Sequence, residues 1–312
     1  IDGTQIFYSE EINCKSCLTQ KLKSGSIGYS HKVLQAAVMH PDMKQVIPLT
    51  SEEIKNKDGN TKQDCELNAA KRLIPKISSV HPRLNLIIVG DGLFSKTPLI
   101  KLTLENNHHY IFVAKPTDHK CMMEWIDNNV NLNEIIKIDD KGRTHIYQWV
   151  NQIPLTGQKD SIKVNYFRYE IVSKDKKGQM KTHYKNSWVT DLNLSKDIVQ
   201  KLVSGGRCRW KIENECFNNL KNQGYHLEHN YGHGSNNLCY NFYLLTLLAF
   251  YFHQIFELTD HLFKQCREKF GSKRHLWETL RSYIKIIIFE SWDLLLLFAL
   301  DDEKLGVSWH YS

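Results

Sequence analysis

The period of apolar and polar positions changes several times along the chain, and each change marks an element. Ile1 to Ser9 (IDGTQIFYS) mixes apolar and β-prone residues around one acid, which predicts a strand carrying Asp2. The residues from Ile12 onward, including Cys14, Cys17 and His31, read as a polar loop. Lys32 to His40 and Lys44 to Leu49, split by Pro41-Asp42, then predict two antiparallel strands joined by a short turn, completing a three-stranded meander. Helical spacing follows over Lys62 to Ser79 (Leu67, Ala70, Ile74), with Asn60 or Thr61 as cap and Asp64 and Glu66 in the first turn, where negative charge suits the helix dipole. Leu84 to Val89 (LNLIIV) is a continuous apolar run, as in a fully buried central strand, and it ends at Gly90-Asp91-Gly92. A helix over Thr97 to Asn107, a strand over His109 to Ala114 ending at Lys115, and a helix over Lys120 to Asn129 complete a β-β-β-α-β-α-β order.

From Gly142 to Leu192 the pattern becomes short alternating runs divided by TGQKD and SKDKKGQ, turn signals at hairpin spacing. Beyond this β-rich segment, Trp210 to Asn222 predicts a helix. Its apolar stripe is Ile212, Cys216, Phe217 and Leu220, with Arg209 and Glu213 one turn apart beside it. The apolar run Phe242 to Phe252 is shorter than the roughly 20 residues that a bilayer requires and reads as a buried helix. A basic segment, Lys264 to Arg274, and a strongly apolar helix near Ile284 to Leu300 close the chain, and these terminal helices are expected to pack against the core.

Composition narrows the class without choosing a function. The 312 residues are 41% hydrophobic and 24% charged, ordinary globular values, and the formal charge of +7 suits a polyanionic partner. Eight scattered cysteines with no signal peptide before them read as reduced thiols of a cytoplasmic protein, with no membrane partner. The chain starts at Ile1 without an initiator methionine and is read as beginning partway into a longer protein. No nucleotide-binding glycine loop and no internal repeat are present.

Three acids and two motifs carry chemistry. Asp91 after a buried strand is equally a turn residue or a helix cap when taken alone. Arg209 and Glu213 alone are a solvated pair worth about 0.3–0.5 kcal/mol. Cys14-x-x-Cys17 is half of a zinc site, to which His31 adds a third ligand. The chain has no second such pair, so the reading leans away from zinc unless the fold delivers Cys65, His40, His226, His229 or His233 as a fourth.

The stretch R-W-x-I-E-x-x-x-F-x-x-L-K, from Arg209 to Lys221, resembles the signature around the third acid of the DDE transposases of bacterial insertion sequences, the branch with a Tyr-Arg-Glu-Lys pattern. DGT at Asp2 with S-E-x-I-x-C-x-x-C behind it, KQDCE, GDGLF at Asp91 and the run from RWKIEN to GHG occur in order over almost the whole chain. Two positions depart from the pattern: Gly206 stands where the tyrosine would, and Lys221 lies one residue further from Glu213 than usual. Glu215 is the rival of Glu213, about 200° round an α-helix from it.

The resemblance implies an α/β ribonuclease H-like mixed sheet flanked by helices. Residues 1–141 would form the first part of that core, 142–195 a β-rich insertion before the last catalytic helix, and 196–312 the core completion and a helical C-terminus. It implies DNA cleavage and strand transfer at insertion-sequence ends, with Asp2, Asp91 and Glu213 holding two Mg²⁺ (or Mn²⁺) ions about 3.5–4 Å apart. Arg209 and Lys221 would contact phosphates of double-stranded DNA at transposon ends and target, and the active unit would be a dimer on DNA. Lys115 and Trp188 join them as candidate DNA contacts, although aromatics of a small sheet are more often core. The competing readings are a ribonuclease H-like nuclease without strand transfer, an inactive DNA-binding remnant, and a zinc-binding module.

Overall fold

A computed structural model describes residues 1–56, 63–129, 131–175, 177–229, 233 and 236–301. The expected caps Asn60 and Thr61 lie outside the described residues. The fold is α/β, with a six-stranded mixed sheet, flanking helices and a helical C-terminus.

The first sheet is antiparallel. Strand β1 (Asp2–Ser9) pairs with β3 (Ile27–Met39), placing Asp2 opposite Gln35 and Phe7 opposite His31. The other edge of β3 is shared by β4 (Val46–Ile54) and by β2 (Leu18–Lys21), a short strand inside what the sequence presents as loop. β2 is three-quarters polar and exposed, so it carries no alternating pattern to reveal it. Helix α1 (Glu66–Val80) covers this sheet with Ala69, Ala70, Leu73, Ile74 and Ile77.

In the second sheet, β5 (Ile87–Gly90) runs parallel to β6 (His109–Val113), and the order continues β10 (Met180–Thr190), β9 (Lys163–Lys174), β8 (Thr144–Pro154), β7 (Asn133–Ile138). The β-rich segment therefore extends the sheet from the β6 edge and already starts at Asn133. β5 is shorter than the apolar run suggests and is not fully buried, since Ile87 is exposed and Leu84 to Leu86 before it are irregular. Helices α2 (Thr97–Glu105) and α3 (Lys120–Asn129) fall where the sequence places them. The two sheets meet where the backbone nitrogen of Ile1 donates to Val89 O at 2.8 Å, which brings the start of β1 beside the end of β5.

Helix α4 (Val199–Cys208) lies across the second sheet, and Gly206 fixes how closely. A Cβ there would stand 2.8 Å from the indole of Trp188, so glycine is required by packing. Trp188 itself is fully buried, stacked on Phe167 at 5.3 Å. It belongs to the core and is not available to DNA; Trp149 and Tyr169 are buried with it, and Tyr166 is buried in a separate core cluster.

The C-terminal helices are α6 (Leu238–Thr259), α7 (His261–Phe270), α8 (Lys273–Ile284) and α9 (Trp292–Leu300). α6 is longer than the apolar run and only half-sided: Tyr243, Leu247, Phe250 and Gln254 are buried while Leu244, Leu245, Leu248 and Phe252 are exposed. Among the described residues it is the one helix long and apolar enough, by length and composition, to cross a membrane. α7, α8 and α9 pack chiefly on one another and on the end of α6, through Phe263, Leu276, Leu280, Leu296 and Phe256, instead of on the sheets. The last apolar stretch is interrupted, with exposed Ile286 and Ile288 between α8 and α9.

Candidate functional site

The segment after α4 departs from α-helical winding where the chemistry is expected. Ile212–Phe217 forms a π-helical turn that passes into α5 (Asn218–Asn222). Such turns insert extra residues into a helix and recur at functional sites. Ile212, Cys216, Phe217 and Leu220 are buried, as their spacing predicts, and this anchored face aims the flanking polar residues.

Arg209 does not pair with Glu213 one turn away. Its Nη1 donates to Asp2 Oδ2 at 2.7 Å, linking the helix to β1 across 207 residues of sequence. Both side chains are less than one-fifth exposed, which favours a charge-assisted bond over a solvated one. Burial pushes the Asp2 carboxyl above the usual carboxylate range; Arg209 pulls it down and the charge of Asp91 adds to the rise.

Two neighbouring clefts share Arg209. One, of about 330 Å³, is lined by Asp2, Thr4, Gln5, Arg209, Glu213, Asn218 and Lys221. The other, of about 890 Å³, holds Asp91, Gly92, Lys115, Tyr184, Lys185, Arg207, Arg209, Trp210, Lys211 and Glu215. Glu213 thus shares its cleft with Asp2, whereas Asp91 opens on the adjacent one together with the rival Glu215. Lys221 sits in the Asp2 cleft and also holds Glu228 at 2.8 Å. Lys115 is exposed beside Asp91, with its stem against Gly92. Asp91 also serves as a turn residue, since Oδ1 accepts from Leu93 N at 2.8 Å.

Sequence reasoning missed Glu66. In the first turn of α1 it approaches Gly3 so closely that a Cβ on that glycine would collide with its carboxylate. Burial raises the Glu66 carboxyl above its ordinary range, and the charges of Asp91 and then Asp2 raise it further. Asp64, grouped with it from the sequence, is instead committed to Arg72 at 2.7 Å. The glycine after Asp2 was the available signal for a close approach.

A separate cluster lies at the far end of β1 and β3. Cys14, Cys17, His31 and His233 bring their ligand atoms within 4.8 Å of one another. His233 is the fourth ligand that the sequence could supply only through the fold. All eight cysteines are free thiols.

Compared with protein-family models and with curated proteins, the chain matches none.

Proposed function

We propose that the chain is a metal-dependent polynucleotidyl transferase of the DDE transposase type, cutting double-stranded DNA and joining the freed 3′ end to a target. The observation that carries this reading is the Asp2–Arg209 bond, which seats the helix of Glu213 and Lys221 against the strand of Asp2. The strand arrangement supports a ribonuclease H-like core: β4, β3 and β1 antiparallel, then β5 beside Ile1 and β6 parallel to β5, with residues 133–190 as an elaboration of the β6 edge.

The donor set fits hard divalent cations. Asp2, Asp91 and Glu66 form an oxygen-only group whose mutual repulsion and burial favour a bound cation, and Glu213 adds a carboxylate at the Asp2 cleft. Two Mg²⁺ or Mn²⁺ ions held there would activate the attacking oxygen and stabilise the leaving 3′ oxygen. Lys221 and Arg209 would bind phosphate oxygens at the cut, and Arg209 holds Asp2 in place meanwhile. Arg207, Lys185, Lys115 and Lys211 give the larger cleft the positive lining that a DNA backbone requires. The proposed setting is cytoplasmic, with a dimer assembled on DNA.

The test is nicking of supercoiled plasmid with Mn²⁺, followed by joining of a pre-cut duplex with a free 3′ hydroxyl to that plasmid. Both activities are expected, and both should vanish in Asp2→Asn. Cleavage without joining would favour the nuclease reading; binding without cleavage would favour the remnant.

A further inference from the structure

The geometry points to a structural zinc site formed by Cys14, Cys17, His31 and His233, separate from the acid clefts and independent of the proposed DNA chemistry. In a tetrahedral zinc site with Zn–S bonds of about 2.3 Å and Zn–N of about 2.0–2.1 Å, two sulfurs stand roughly 3.8 Å apart and a sulfur–nitrogen pair roughly 3.5 Å. The observed Cys14 Sγ to Cys17 Sγ distance is 3.8 Å. His31 Nε2 lies 3.4 Å from Cys14 Sγ and 3.5 Å from Cys17 Sγ, and His233 Nε2 lies 3.3 Å from Cys17 Sγ. These are four of the six edges of a coordination tetrahedron, the other two lying within 4.8 Å, and the sulfurs are far beyond the roughly 2.05 Å of a disulfide.

The surroundings match the chemistry of the ligands. Cys17 N donates to Cys14 O at 3.1 Å and Cys14 N to Cys17 Sγ at 3.4 Å, a tight turn that aims both sulfurs to one side and offers an N–H to a thiolate. The ring nitrogen of His31 away from the sulfurs, Nδ1, stands 3.4 Å from Glu53 Oε1, a carboxylate placed to orient the imidazole. Phe7 packs against both imidazoles, with centroids 5.9 and 4.3 Å away. Cys17 and His31 are almost fully buried, while Cys14 and His233 are half-buried and border a cavity of about 420 Å³; four protein ligands complete a tetrahedron, as structural sites require.

The site would fasten distant parts of the chain. Cys14 and Cys17 precede β2, His31 is on β3, and His233 follows α5. Asn236 and Asn237, both left-handed with φ of 62° and 56°, then turn the chain into α6. Zinc would therefore pin the segment leaving the Glu213 helix to the sheet that carries Asp2.

The deciding experiment is metal analysis of the full chain, purified without a histidine tag and dialysed against Mg²⁺. Close to one equivalent of zinc is expected, released when a mercurial titrates the thiols. Cys17→Ser and His233→Ala should each lower the zinc content about tenfold or more, while Cys65→Ser and Cys121→Ser leave it unchanged. Glu53→Ala should weaken zinc affinity about 10- to 100-fold in competition with a chromophoric chelator. If the variants do not fold, the wild-type chain with Co²⁺ decides, through thiolate charge-transfer absorption and tetrahedral ligand-field bands. Absence of stoichiometric metal, zinc retained equally by Cys17→Ser and His233→Ala, or a Cys14–Cys17 disulfide in freshly reduced protein would overturn the proposal. None of these readouts involves DNA cleavage, so the two proposals stand or fall separately.

Discussion

The β1–β3 pair carries candidate metal chemistry at both ends, and the ends are built differently. At one, Asp2 opposite Gln35 opens on a cleft with Arg209, Glu213 and Lys221; at the other, Phe7 opposite His31 packs on two imidazoles that stand beside two thiols. The thiol end gathers two thiols and two imidazoles within 4.8 Å of one another, with Cys17 and His31 almost fully buried and the cluster bordering a cavity of about 420 Å³. The acid end has hard oxygen ligands divided between two open clefts, with a guanidinium between them. The contrast separates a fastening from a working site. A structural metal is held best by a complete, preformed ligand set, whereas a site that handles a phosphodiester must leave coordination positions and space for substrate.

The largest expected effect breaks the comparison if it fails. Asp2→Asn and Asp91→Asn should each lower metal-dependent DNA nicking by at least on the order of 10²–10³-fold, the scale for removing one preorganised charge-stabilising group. Zinc content should not change in either variant. A loss of zinc from Asp91→Asn would mean that the two ends are one cooperative unit. Glu213→Gln should match that loss and Glu215→Gln should cost only a few-fold, because Glu213 shares the cleft of Asp2. The reverse order would move the working site into the larger cleft, where Glu215 and Asp91 lie together.

A smaller effect is expected at Glu66. Its carboxylate presses on Gly3 and feels both Asp91 and Asp2. Glu66→Gln should relieve repulsion without metal and so raise the metal-free melting temperature slightly, while weakening Mg²⁺ binding in a calorimetric titration. Unchanged affinity would reduce Glu66 to a neighbour of the site.

Packing sets the next scale. Gly206→Ala places a Cβ against the Trp188 indole and should destabilise the chain by about 1–3 kcal/mol in denaturant unfolding, the usual cost of overpacking a core. The same contact accounts for glycine at the position where the resembled pattern has tyrosine. A tyrosine there would require Trp188 to leave its place against Phe167.

What could be read from the sequence was what local periodicity encodes. β1, β4, α2, β6 and α3 follow from alternation, helical spacing and breakers, and so does β3 from Lys32 onward, whereas its first residues, Ile27 to His31, read as polar loop; the buried stripe Ile212, Cys216, Phe217 and Leu220 survives the π-helical turn. Long-range pairing was not legible: nothing local says that β10 joins β6, that Arg209 reaches Asp2 instead of Glu213, or that His233 returns to Cys17. Trp188 shows the same limit from the other side. An aromatic among cations reads as a candidate DNA contact, and only the approach of Gly206 on α4 reveals that it faces inward. Helix α6 misleads because composition does not report which face is covered.

The smallest effect concerns a third histidine environment, which sharpens how His31 and His233 should behave in acid. His253 on α6 stacks on Trp277 at 3.6 Å, and its Nδ1 meets Tyr225 Oη at 2.6 Å. Burial pushes its pKa down to about 3, and the charge of Lys273, itself held by Glu257, adds to the fall. In the unfolded chain the imidazole would titrate near 6.5. The unfolded state therefore takes up a proton before the folded state does, so the stability contributed by neutral His253 is present above about pH 6.5 and lost progressively as the pH falls toward 3. At about 1.4 kcal/mol per pH unit of difference, the loss reaches at most a few kcal/mol. Proton competition for thiolates and imidazoles would release zinc in an overlapping range, so acid lability alone does not identify its source. His253→Gln should remove the first component and leave zinc release unchanged. Melting temperature and free zinc, followed together from pH 7.5 to pH 4.5, check this. If His253→Gln leaves the slope of stability against pH unchanged while zinc is retained, the imidazole is not the buried neutral group between α6 and α8 that its packing describes.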